Sequence, residues 1–91
     1  MQVNDFLIEG CSSSVALEAI PKKSFSFDLK AIAEKLESNG INLEINTPVV
    51  LIFNFNGFPV SLYKHGKIII KNIQEEEKFK ELLKKLLELI K

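Results

Sequence analysis

The chain contains no arginine and no tryptophan, and it has one cysteine and one histidine. Each scarcity removes a class of chemistry. Without arginine there is no planar guanidinium fork to read guanine or clasp phosphate with two bonds. The 12 basic residues, all lysine, act only as point charges. They are matched by 12 acidic residues, so no global field draws in nucleic acid or an anionic membrane. A lone Cys11 excludes an intrachain disulfide and a cysteine-based zinc site, and a lone His65 excludes paired-histidine metal motifs. The opening MQVNDFLIEG carries an acid and only a short apolar run, unlike a secretory signal, and no run is long enough to span a bilayer. The expectation is a cytoplasmic, reduced protein with no metal and no cofactor.

What is present is a globular composition, 46% hydrophobic and 26% charged over 91 residues, which suits one domain with one core. Residues 1 to 14 read as an N-terminal segment of open structure, in which DFLIEG suits a short strand and GCSSS a loop. The domain itself is expected over residues 15 to 91. VALEAI, from Val15 to Ile20, alternates as a strand with Val15, Leu17 and Ala19 on one face, and PKKS ends it. From Asp28 the period changes. Leu29, Ile32, Ala33 and Leu36 fall on one helical stripe, with Ser26 or Asp28 available as a cap and Asn39-Gly40 as a stop.

INLEIN then places Ile41, Leu43 and Ile45 on one face of a modest strand, and VVLIFNF is strongly β in content. Asn56-Gly57 between Phe55 and Phe58 specifies a two-residue type I′ hairpin. That turn sets Phe55 opposite Phe58, Phe53 opposite Val60 and Leu51 opposite Leu62. The turn KHG leads into a last strand, Lys67 to Lys71. A second helix is expected to begin at Asn72, with Glu75 completing a capping box. Glu75, Glu76 and Glu77 suit its positive end better than a metal site. Phe79, Leu82, Leu83, Leu86, Leu87 and Ile90 form its buried stripe.

The order is β-α-β-β-β-β-α, an α+β fold: a five-stranded antiparallel sheet with two helices on one face. The helix-covered face receives Leu51, Phe53, Phe55, Val60, Leu62, Ile68 and Ile70. The other face carries Val50, Ile52, Asn54, Ser61, Tyr63, Ile69 and Lys71, half apolar and covered by nothing in the sequence. Those residues, with Lys67, are the candidate surface for nucleic acid or a protein partner. Lysine also guards edge strands against aggregation, which is the plainer account of Lys67 and Lys71.

One resemblance extends this reading. FDLKAIAEKLESNG, followed by TPVV, a hairpin, LYKHGKIIIKNI and QEEEKFKELLKKLLELI, resembles one repeat of the TATA-box-binding protein family from Phe25 onward. Its most specific piece is an aromatic-x-x-Gly-Lys followed by alternating aliphatics, here Tyr63, Gly66, Lys67 and Ile69. The resemblance implies a TBP-like half: a curved sheet whose concave face lies in the minor groove of duplex DNA, with aromatic wedges between base steps. Tyr63 matches the second wedge, the first falls on Thr47 before Pro48, a base-bonding asparagine falls near Ala16, and a threonine of the last strand matches Lys71. Threonine cannot unstack bases, so the implied function is DNA binding related to transcription, without TATA specificity. In that family two repeats meet along their first strands. A single repeat therefore implies a homodimer through Val15 to Ile20, an edge otherwise closed only if residues 3 to 9 fold back over it.

No residue set assembles an enzyme. Cys11 and Ser12 to Ser14 have no sequence partner for nucleophilic catalysis and make no glycine-rich phosphate loop, and His65 sits alone at a turn apex. Three readings stand: a DNA-binding module using the sheet, a protein-interaction or homodimerisation module using the same face or its edge, and an accessory substrate-binding domain for a nucleic-acid enzyme.

Overall fold

In the computed structural model, which describes residues 2–10 and 15–90, a 3₁₀ turn at Val3–Asp5 leads into β1 (Phe6–Gly10) and β2 (Ala16–Pro21). Helix α1 (Leu29–Ser38) follows, then β3 (Leu43–Asn46), β4 (Val50–Phe55), β5 (Phe58–Tyr63), β6 (Ile68–Lys71) and helix α2 (Glu76–Leu89). The fold is α+β, with an open antiparallel sheet of six strands in the order β1-β2-β6-β5-β4-β3. The count exceeds the expected five because DFLIEG pairs with β2 along its whole length, Phe6 against Pro21 through Gly10 against Leu17.

Of the two closures expected for the edge at Val15 to Ile20, that pairing is residues 3 to 9 folding back over it, in place of the homodimer through this strand. β2 lies inside the sheet, between β1 and β6, so residues of the same chain occupy both of its sides. Val15 stands just outside the strand and is exposed, but its carbonyl accepts a bond from the Asn72 N–H at 2.7 Å.

Local chemistry accounts for most boundaries. Asn56 and Gly57 adopt φ of 51° and 85°, the positive values a type I′ turn requires. The register follows as expected, with Phe55 opposite Phe58, Phe53 opposite Val60 and Leu51 opposite Leu62. The Asp28 carboxylate caps α1 by accepting the Ala31 N–H at 3.2 Å. Asp28→Ala should cost about 1 kcal/mol in a denaturant titration, the usual effect of removing such a cap.

The second helix begins later than its capping box suggests. Asn72 sits at φ 62°, and its N–H extends the sheet ladder to Val15 instead of opening a helix. Ile73 then turns into the core, and α2 starts at Glu76 with Glu75 as its N-cap residue and no side-chain cap bond. Glu76 and Glu77 occupy the first turn, where the helix dipole favours acids.

The core lies between one sheet face and both helices. Leu29, Ile32, Ala33 and Leu36 of α1 pack in one cluster with Phe79, Leu82, Leu83, Leu86 and Leu87 of α2. Leu51, Phe53, Val60, Leu62, Ile68 and Ile70 come up from the sheet. Phe55 and Phe58, at the hairpin end, are only partly buried against this cluster, and the Lys78 ammonium covers the Phe58 ring at 5.3 Å. The face assignments of β4, β5 and β6 hold throughout.

β3 departs from its pattern. Its register against β4 shifts between Leu43 and Ile45, so Leu43 lies opposite Phe53 on the helix side and Ile45 opposite Ile52 on the other. A bulge of this kind adds one residue and so reverses the side on which the later residues point. Ile45, expected beside Leu43, is 43% exposed on the open face.

Candidate interaction surface

Directly opposed residues of an antiparallel pair share a face, so the register identifies everything on the side away from the helices. Val50 lies opposite Tyr63, Ile52 opposite Ser61, and Asn54 opposite Pro59. Ser61 lies opposite Ile69. Alternation along β6 adds Lys71 and, just before the strand, Lys67. All eight residues singled out from the sequence (Val50, Ile52, Asn54, Ser61, Tyr63, Lys67, Ile69 and Lys71) therefore share this open face.

Their environments differ. Val50, Ile52, Tyr63 and Ile69 are half-buried, and Asn54 and Lys71 are exposed. Ser61 is only 7% exposed, set between Ile52 on β4 and Ile69 on β6. It is a floor to this surface, not a contact group. The Asn54 side-chain amide donates to the Glu44 carboxylate at 3.3 Å, which ties β4 to the bulged edge strand.

Lys67 is partnered within the chain. Its ammonium meets the Glu18 carboxylate of β2 at 3.2 Å, with both side chains largely shielded. Glu18 has the opposite parity to Leu17 and Ala19, so strand alternation alone would have placed it on this face. The structure adds Leu7 and Glu9 of β1, Glu18 and Ile20 of β2, and Glu44 and Ile45 of β3. The β1 residues join only because β1 pairs, one of the two closures the sequence left open for that edge, and Ile45 joins only because of the bulge, which has no sequence signal. The assembled surface has an apolar band of Ile20, Ile69, Ile52, Val50, Tyr63 and Ile45. Three carboxylates, Glu9, Glu18 and Glu44, stand on it against two ammonium groups, Lys67 and Lys71.

The remaining candidates sit elsewhere. His65 is exposed on the β5–β6 turn, its ring tilted against Tyr63 with centroids 5.6 Å apart. Thr47, the first-wedge position of the resemblance, serves its own turn. Its hydroxyl oxygen accepts the Val50 N–H at 3.0 Å and the Val49 N–H at 3.3 Å. Cys11 and Ser12 to Ser14 lie outside the described residues. Among the described residues, no three His, Cys, Asp or Glu side chains gather as a metal-binding group, and no helix is long and apolar enough to cross a membrane. The chain matches no family model, no curated protein and no solved structure.

Proposed function

We propose that the chain is a non-catalytic binding module whose open sheet face docks against another protein. The observation that carries this reading is the make-up of that face. An apolar band several strands wide, rimmed by an excess of one carboxylate over ammonium, suits a partner that is apolar at its centre and basic at its rim. Binding to duplex DNA rests on neutralising phosphates. Of the two lysines here, Lys67 already has its counter-charge in Glu18 and only Lys71 stands clear. The same face serves the TBP-like resemblance, and the two helices behind it are what that resemblance implies. The charge balance favours protein over DNA as its occupant.

A photo-reactive residue at Tyr63 should capture a defined partner. Ile52→Lys should abolish the capture while Lys84→Glu, on the outer surface of α2, leaves it intact. In parallel, fluorescently labelled duplex DNA should show no salt-dependent binding, and Lys67→Ala with Lys71→Ala should change nothing. Steeply salt-sensitive DNA binding that the double substitution removes would move the reading to nucleic acid.

A further inference from the structure

The two edges of the sheet are built differently. β3, at one edge, is broken by the bulge between Leu43 and Ile45 and carries the Glu44–Asn54 bond. Bulges are one of the devices that keep edge strands from pairing with other chains. β1, at the other edge, pairs residue by residue without interruption and has no lysine, no proline and no bulge. Its single charged residue is Glu9, and Leu7 on the open face is 47% exposed. Among the described residues, none pairs with its outer side.

The hydrogen-bond phase shows what that outer side offers. The Lys22 N–H donates to the Asp5 carbonyl at 2.9 Å, so Asp5 turns its carbonyl toward β2. In an antiparallel ladder that property alternates. Leu7 and Glu9 therefore also face β2, Ile8 and Gly10 direct their N–H and C=O groups outward, and Phe6 directs its C=O outward while its N–H bonds the Val3 carbonyl. The opposite side of β2 keeps the same phase, since Val15 bonds Asn72 of the β6 side.

We infer that the outer edge of β1 pairs with β1 of a second copy of this chain, antiparallel, about a twofold axis at Ile8. This register sets Ile8 against Ile8, and Phe6 against Gly10 in both directions, so all four free outward N–H groups, those of Ile8 and Gly10 in each copy, find carbonyls. It also sets Leu7 against Glu9 on the open face and places Phe6 over a residue with no side chain. Sliding the strands by two residues either way cuts the three opposed pairs of outward-facing residues to two. One slide also opposes Asp5 to Glu9, and the other opposes Glu9 to Glu9. Like charges directly opposite one another weaken strand pairs. Sliding by one residue sets the helix-covered face of one copy beside the open face of the other. The strand is therefore complementary to itself in one register, and the open faces of the two copies become continuous across it. This pairing does not depend on what the open face binds.

Sedimentation equilibrium on the full chain, from micromolar to millimolar concentration, tests the pairing. The expected result is a concentration-dependent dimer. Leu7→Glu should weaken it about tenfold by opposing two carboxylate pairs. Leu7→Lys should hold or tighten it, an effect that fades at high salt. Ile8→Pro should weaken it by deleting an outward N–H, a change an edge strand tolerates. Circular dichroism confirms that each variant is folded, and Leu7, being exposed, keeps the test valid if Ile8→Pro is not. A chain that stays monomeric at millimolar concentration overturns the inference. So does a dimer that Leu7→Glu and Leu7→Lys weaken alike, or one that a folded Ile8→Pro leaves unchanged.

Discussion

Phe53→Ala should lower the stability of the fold by about 3–5 kcal/mol, while Ile52→Ala, one residue away, should cost well under half as much. Phe53 is 0% exposed and belongs to the cluster formed with α1 and α2, so removing its ring leaves a cavity that neighbouring side chains fill only partly. Ile52 points to the open face and is half-buried, so it loses less transfer energy and leaves no enclosed void. A domain of this size is stable by only about 5–15 kcal/mol, so the first substitution removes a large share of that margin. Urea titrations of the two variants measure the contrast. Equal losses would mean that β4 does not divide its faces as described.

Gly66→Ala should be the most costly exchange of one small residue for another, at about 2–5 kcal/mol from strain and overpacking together. Gly66 closes the β5–β6 turn at φ 102°, a conformation that side-chain-bearing residues rarely adopt. A Cβ there would also lie 2.5 Å from Cγ of Pro21, the last residue of β2, and 3.3 Å from the Phe25 ring. The two causes are separable. Pro21→Ala opens the space without changing the backbone, so Gly66→Ala should cost less in the Pro21→Ala background than alone. The remaining cost is that of the dihedral. Additive losses in this double-mutant cycle would show that the contact with Pro21 plays no part.

Gly66 also shows where reading the sequence reaches its limit. Its place in a turn is legible from KHG, but its contact with Pro21 depends on β2 lying next to β6, a neighbour some fifty positions away in the chain. The legible features are local. The Asn56-Gly57 turn fixes a register because only certain residues adopt positive φ, and that register carries the faces of β4 and β5 with it. The stripes of α1 and α2 are legible because a helix repeats every 3.6 residues whatever it packs against. Five-sixths of the strands, and all eight residues first named for the open face, follow from such short-range rules.

What the sequence by itself determined is therefore the fold class, the two helices, the hairpin register and the division of the central strands into a covered and an open face. Only the tertiary structure decided the rest. It made β1 the sixth strand, closed the edge of β2, paired Glu18 with Lys67, turned Ile45 outward at a bulge and held Asn72 in the ladder to Val15. The physical reason is common to all five. Strand pairing, whether between neighbours such as β1 and β2 or between distant residues such as Glu18 and Lys67, depends on which backbone edge is left to satisfy, a condition that no short stretch of chain contains.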